Sequence, residues 1–116
     1  MATPQKLELV KGTLDVLVLK TLSWGSMHGY GVSRWIRQRT GGVLAVDEAA
    51  LYQALHRLER RRWVRSEWGV SENNRRAKYY ELTPQGRKQL QAESATWRAY
   101  AQAVFAVLDA KTAGLG

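Results

Sequence analysis

The fold is decided by residues 47–82, which have the sequence DEAALYQALHRLERRRWVRSEWGVSENNRRAKYYEL. Leucines stand at Leu51, Leu55 and Leu58, a spacing of i, i+4 and i+7 that predicts a helix with one buried side. Asp47 precedes this stripe, and an aspartate there can accept a hydrogen bond from the first turn. The segment therefore opens with a capped amphipathic helix.

The rest of this segment predicts a two-stranded hairpin. Residues 63–68 and 78–82 each alternate between apolar and polar side chains, which is typical of strands. Asn73 and Asn74 lie midway between them, and asparagine tolerates the left-handed backbone that a tight turn requires. Because Tyr80 shares a face with Leu82, we expect Tyr80 in the core.

Two further helices are predicted upstream. Apolar residues recur at helical spacing in the first of them: Leu7, Val10, Leu14, Leu17, Val18 and Leu22. Gly12 weakens its first half, so the firm part is predicted as residues 13–23 with Thr13 as its cap. Residues 25–29 are predicted as a turn, a short helix around Trp35 ends at Gly41, and residues 43–46 are predicted as a small strand.

The last predicted element is a long helix. Thr83 and Pro84 form a strong start signal, because threonine caps a helix and proline loses no needed hydrogen bond at its first position. We expect this helix to run to Ala113, where Gly114 ends it. About 28 residues at ~1.5 Å each make a rod of roughly 42 Å.

This order of elements predicts a mostly α, α+β winged helix-turn-helix. Three helices form the core, the hairpin is the wing, and the long C-terminal helix joins two copies. Residues 1–82 are assigned to the DNA-binding domain and residues 83–116 to the dimerisation helix.

The outer side of the third helix is the expected contact with double-stranded DNA. The major groove admits one α-helix, glutamine can pair with adenine, and arginine can pair with guanine. The exposed side chains predicted there are Gln53, His56, Arg57 and Arg60. The chain carries a net charge of +8. Residues 34–88 hold thirteen basic and six acidic side chains, and therefore seven of those eight charges. Such a concentration favours phosphate contact.

Basic residues also mark the hairpin turn. Arg75 and Arg76 lie at the predicted tip and Lys78 follows, so these side chains can reach phosphates or the minor groove. The alternative is an ordinary solvated turn, and the preceding helix-turn-helix pattern favours DNA.

An apolar stripe on the long helix predicts a partner copy. The stripe consists of Trp97, Ala101, Val104 and Leu108. One small domain cannot cover so long a helix, and an uncovered apolar stripe favours a homodimer. Trp97 either packs this interface or lines a cavity between subunits that takes a flat aromatic ligand. Leu17 of the first helix is assigned to the same surface.

The chain resembles the PadR family of bacterial winged-helix regulators. The matching residues are GTLDVLVL at 12–19, HGY at 28–30, LYQALHRLE at 51–59, WVRSEW at 63–68, KYYELT at 78–83 and Gly86. The resemblance implies a homodimer joined through the C-terminal and first helices, and repression relieved by a small molecule. It also implies that Tyr52 contacts the DNA backbone, that Lys78 is the basic wing residue, and that Tyr30 opens the second helix.

The chain departs from the family pattern at two places. Ala49 and Ala50 stand where the family usually has a glycine and a small hydroxyl residue, so one candidate phosphate ligand is missing. Arg62 stands where a glycine usually ends the third helix, which leaves the geometry of the turn into Trp63 open.

Other functions are disfavoured. With no cysteine, thiolate metal sites and cysteine nucleophiles are excluded, and no phosphate loop or nucleophile elbow occurs. We therefore expect no enzyme activity, cofactor or metal. No signal peptide or membrane span is expected, so the predicted location is the cytoplasm. His28 is assigned to a turn. The second candidate function is a winged-helix protein-interaction or small-molecule sensor module without specific DNA binding, and a membrane-surface role ranks third.

Overall fold

The computed structural model describes residues 12–114. Its elements are α1 (Thr13–Leu22), β1 (Met27–His28), α2 (Gly29–Arg39), α3 (Glu48–Arg60), β2 (Val64–Val70), β3 (Arg76–Leu82) and α4 (Pro84–Leu108). The strands form one antiparallel sheet in the order β1-β3-β2. The predicted winged helix-turn-helix is confirmed.

A single hydrophobic core joins α1, α2 and α3 to the base of the hairpin. Its buried members are Leu14, Val18, Leu19, Leu22, Val32, Ile36, Leu51, Ala54, Leu55, Leu58, Val64, Tyr80 and Leu82. All three predicted leucines of α3 are included, as is Tyr80. Burying each large side chain contributes about 1.5–3 kcal/mol, so this core fixes α3 against the other helices.

Two predicted helix starts are confirmed. The Asp47 carboxylate accepts a hydrogen bond from the Ala50 N–H at 3.0 Å. The Thr83 hydroxyl accepts from the Gly86 N–H at 3.0 Å and donates to the Arg62 carbonyl at 2.7 Å. Gly86 is buried, and a Cβ there would collide with the Trp63 carbonyl oxygen. Only glycine therefore lets the first turn of α4 pack directly against the backbone of Trp63, the residue before β2.

The predicted start of α1 is wrong by one position. Gly12 is the N-cap, with φ of +89° and no capping side chain, and Thr13 is the first helical residue. Glycine adopts this left-handed backbone without a steric penalty. The helix ends at Leu22. Leu7 and Val10 lie outside the described residues.

The predicted short strand is also misplaced. Residues 43–46 do not form a strand: Leu44 makes only an isolated β-bridge, and Leu44 and Val46 pack against the core. The third strand is β1, which lies inside the predicted turn 25–29 and pairs Met27 with Tyr80 of β3. A two-residue strand has no periodicity that its sequence could show. The pairing of β1 therefore depends on the edge of β3 that lies next to it.

The long helix is shorter than predicted. α4 ends at Leu108, with Asp109 as its C-cap, and does not reach Ala113. Ala101 is its last half-buried residue. Since most helical stability in proteins comes from packing, the unsupported end has little to extend it further.

Candidate nucleic-acid interface

The outer side of α3 faces solvent. Gln53, His56 and Arg60 are all exposed, on the side of the helix opposite its buried leucines. Ala49 lies on the same side and is exposed. Small and polar residues on one rigid helix give a surface that can approach the floor of a DNA groove.

Arg57 occupies a different position from these three residues. Its guanidinium lies 2.7 Å from the Asp15 carboxylate of α1, and the two side chains are 39% and 17% exposed. Arg57 therefore ties α3 to α1 at the flank of the exposed surface. The pair is separated by 42 positions, so no local sequence pattern indicated it.

The hairpin is attached to α3 through Glu59. The Glu59 carboxylate accepts a hydrogen bond from the Ser66 hydroxyl at 2.5 Å and lies 3.7 Å from the Lys78 ammonium. Lys78 is half-buried and also lies over the Tyr80 ring. Lys78 is thus a positioning contact between wing and helix, and this contact was not expected from the sequence.

Tyr52 packs against the first residue of α2. A Cβ added to Gly29 would lie 2.8 Å from the Tyr52 hydroxyl oxygen, so glycine is needed for this close approach. Tyr52 remains 39% exposed, and the neighbouring Tyr30 is exposed as well.

Burial raises the pKa of Tyr80 above its usual value, and the charge of Glu59 and the Tyr52 hydroxyl add to the effect. Tyr80 is therefore neutral across the physiological range.

His28 is more than a turn residue. It ends β1 and caps α2, because its Nδ1 accepts a hydrogen bond from the Gly31 N–H at 3.0 Å. Its ring stacks on Tyr30 and meets the edge of Tyr79. Within residues 12–114, no three histidine, aspartate or glutamate side chains converge to form a metal site.

Two exposed arginines follow the turn of the hairpin. Asn74 has φ of +57°, and the Ser71 N–H donates to the Arg75 carbonyl at 2.8 Å, which closes the predicted turn. Arg75 and Arg76 are exposed. Trp68, which the sequence did not indicate as a site residue, is exposed and has the Arg76 guanidinium 4.5 Å from its ring centroid.

A groove of about 920 Å³ separates the wing from α2 and α3. Tyr30, Arg34 and Tyr52 line one side, and the hairpin lines the other with Trp68, Arg75, Arg76 and Lys78. Arg34 belongs to the basic middle of the chain, but no sequence pattern marked it as a site residue. Among the described residues that line the groove, Glu72 is the single acidic one. This excess of cations suits a polyanion.

The predicted dimer surface lies on α4 and α1. The Trp97 indole N–H donates to the Thr13 hydroxyl at 3.1 Å, which holds α4 against α1. Leu17 and Ala101 are half-buried nearby. Val104 and Leu108 are exposed, Leu108 to 70%. The same stretch of α4 contains three more exposed apolar side chains: Tyr100, Phe105 and Val107.

Comparison with known proteins agrees with this architecture. Residues 18–92 match the model of the transcriptional regulator PadR-like family. The chain belongs to this family. The PadR-like family and the structural relatives are transcriptional regulators and not enzymes. The prediction that the chain is a DNA-binding transcriptional regulator is therefore confirmed.

Solved PadR-like structures superpose well on the chain. A transcriptional regulator from Clostridium thermocellum is 31% identical, with a TM-score of 0.74 over 81% of this chain and 88% of its own. A PadR family regulator from Clostridium difficile is 26% identical, with a TM-score of 0.69 over 85% and 100%. Bacillus subtilis PadR, solved in complex with operator DNA, shares the fold at 20% identity, with a TM-score of 0.61 over 68% and 45%.

In the part of the chain that the structure describes, no helix has both the length and the apolar character needed to cross a membrane.

Proposed function

We propose that this chain binds specific sequences in double-stranded DNA as a homodimer and represses transcription in the cytoplasm until a small molecule relieves it. The observation that carries the proposal is the exposed polar side of α3 beside an arginine-tipped wing. The wing borders a basic groove that α3 reaches through Tyr52, while Gln53, His56 and Arg60 lie on the exposed side of the same helix. The solved complex of Bacillus subtilis PadR with operator DNA supports duplex DNA as the ligand of this fold.

In the proposed complex, α3 enters the major groove. Gln53 pairs with adenine, while His56 and Arg60 contact phosphates or base edges beside it. Tyr30 and Tyr52 flank the groove and contact the DNA backbone through their hydroxyls, which position the helix without conveying sequence. Arg75 and Arg76 reach the flanking duplex from the wing, and Lys78 supports them through its contact with Glu59.

Arg57 contacts guanine in this proposal only after it leaves Asp15. The ion pair holds the guanidinium at the flank of α3 in the free protein. DNA phosphates compete for such a group, and an arginine paired bidentately with guanine discriminates between bases by about 1–3 kcal/mol. Arg57 is therefore the one proposed contact that requires a side-chain rearrangement.

The homodimer is proposed to form through α4 and α1. Trp97 contacts α1 of the same chain through Thr13, Ala101 is half-buried, and the stripe continues through the exposed Val104 and Leu108. A second copy packed antiparallel on this stripe buries it and pairs two DNA-binding units. Two recognition helices about 34 Å apart match successive turns of one face of a palindromic operator.

A flat aromatic effector is proposed to bind between the subunits at Trp97 and Leu17. A ligand there alters the spacing of the two α4 helices, and a coupling of ~1–3 kcal/mol is enough for regulation. Titration of planar drugs and phenolic acids against wild type and Trp97→Ala tests this idea. The proposal expects weaker binding to the variant, and equal binding to both forms contradicts the ligand site.

Selection of bound fragments from the source genome tests the DNA proposal. We expect an inverted repeat beside a promoter, with about tenfold weaker binding by Gln53→Ala and unchanged binding by the control Gln85→Ala, an exposed glutamine at the start of α4. Random recovery of fragments contradicts sequence-specific binding and favours the protein-interaction or sensor module instead.

A further inference from the structure

Trp68 is exposed although it lies on the face of the hairpin that leads to the core. The register pairs Trp68 with Lys78 and Val70 with Arg76, so these side chains continue the face that Val64 and Leu82 begin. Val64 and Leu82 are buried, whereas 59% of the Trp68 surface is exposed. The ring lies outside the hydrophobic core, so packing within the described chain does not explain a residue of this size.

The Trp68 ring holds an arginine in place. The Arg76 guanidinium carbon lies 4.5 Å from the ring centroid, within the range of a cation–π contact. Stacking restricts a side chain that otherwise has many rotamers, so less entropy is lost when it binds. Trp68 and Arg76 both line the groove that also contains Tyr30 and Tyr52. Tyr52 belongs to α3, so the stacked pair lies in the same groove as one residue of the proposed recognition helix.

We infer that the Trp68–Arg76 pair inserts into the minor groove next to the major groove occupied by α3, and that it selects A·T base pairs there. Narrow A·T-rich minor grooves have an enhanced negative potential that attracts arginine. A G·C pair adds the guanine 2-amino group to the groove floor and obstructs such an insertion. The apolar ring packs along the groove wall, as apolar wedges of minor-groove proteins do.

This inference rests on the proposed function, since it assigns a specificity to the same interface. The structural alternative is that Trp68 only stabilises the hairpin through its cross-strand neighbours. That role predicts a lower melting temperature for variants and no change in base preference. Base preference at the flanking positions therefore separates the two roles.

The test uses the duplex recovered by the selection, with its flanking base pairs made A·T, I·C or G·C. An I·C pair resembles G·C in the major groove and A·T in the minor groove, because inosine lacks the 2-amino group. We expect wild type to bind the A·T and I·C duplexes equally and the G·C duplex about tenfold more weakly. Arg76→Lys keeps the charge and loses the planar stack, so its preference should fall below about twofold.

Arg65→Lys is the matched control, because Arg65 is exposed on the opposite face of the hairpin and pairs with Glu81. It should keep the tenfold preference. Trp68→Ala should behave like Arg76→Lys, and if Trp68→Ala does not fold, Arg76→Lys decides.

Equal binding of wild type to all three duplexes overturns the inference. A preference for A·T over I·C also overturns it, as does a preference for A·T over G·C that survives Arg76→Lys. Failure of the selection to recover any motif overturns the proposed function and this inference together, whereas a recovered motif with indifferent flanks overturns this inference alone.

Discussion

At the scale of single residues, Arg62 has an unusual backbone for a residue with a long side chain. Its φ is +64°, and it follows the last turn of α3. The Arg62 N–H donates to the Glu59 carbonyl at 3.0 Å, and the Trp63 N–H donates to the Leu58 carbonyl at 3.1 Å. This is the paired hydrogen bonding of a Schellman turn, in which glycine usually occupies the left-handed position. The turn therefore has the geometry of a glycine turn without the glycine.

We expect Arg62→Gly to raise the free energy of unfolding by about 1 kcal/mol, because a left-handed backbone costs ~1–2 kcal/mol for residues with a Cβ. Urea denaturation measures the effect. Arg61→Gly is the control: Arg61 is right-handed, so glycine there should lower the free energy of unfolding. Equal destabilisation by both substitutions contradicts the strain at Arg62.

Local signals at single residues were predictable from sequence, and distant partners were not. Asp47 and Thr83 were predicted as caps because a cap depends on neighbours within a few positions. Thr13 looked equally suitable, but Gly12 supplies the backbone geometry and the Thr13 hydroxyl accepts from Trp97 instead. The contact of Arg57 with Asp15 depends on tertiary packing, which short-range patterns do not contain.

At the scale of elements, α1 lies between the proposed dimer helix and the proposed recognition helix. Thr13 of α1 accepts a hydrogen bond from Trp97 of α4, and Asp15, two residues later, holds Arg57 of α3. Both contacts lie in the first turn of one helix. A shift of α4 therefore has a direct route to the side chain that flanks the proposed DNA-binding surface.

Asp15→Asn tests this connection. The substitution releases Arg57 and removes one negative charge, so we expect affinity for the selected duplex to rise about threefold or more at fixed salt. The loss of a partly exposed ion pair should lower the free energy of unfolding by no more than about 1 kcal/mol. Fluorescence anisotropy measures the affinity.

Asp109→Asn is the matched control for Asp15→Asn. It makes the same change of charge at the exposed C-cap of α4, far from α3 in the sequence. Equal effects of the two variants on affinity contradict a specific role for the Asp15–Arg57 pair and leave only the change in net charge.

Elements with a clear period were predictable, and the smallest element was not. The buried leucines of α3 and the alternation of β2 and β3 specified the helix and the wing. β1 has two residues, and its pairing depends on the free edge of β3. The apolar stretch 43–46 has strand-like composition but forms only an isolated β-bridge at Leu44.

At the scale of the whole molecule, the described chain is elongated, measuring 63 × 40 × 21 Å. α4 has 25 residues, a length of about 37 Å. Its first half packs on the domain, and its second half presents apolar side chains to solvent. This shape is what the sequence predicted for a dimerisation helix, although the helix ends five residues earlier than Ala113.

We expect Val104→Glu to convert the protein to a monomer of 13.1 kDa, because it places a charge in the middle of the proposed apolar interface. Sedimentation equilibrium measures the mass. Gln102→Glu, an exposed position on the same helix, should remain dimeric. A Val104→Glu protein with the mass of a dimer, or a monomeric wild type, contradicts dimerisation through α4.

Dimethyl sulphate protection on the selected duplex tests the central claim most directly, since this reagent methylates guanine N7 in the major groove. We expect two patches of protected guanines about 10 base pairs apart on one face of the duplex, and weaker protection by Gln53→Ala. Uniform methylation of the bound duplex, with guanine N7 fully accessible in both half-sites, contradicts insertion of α3 into the major groove.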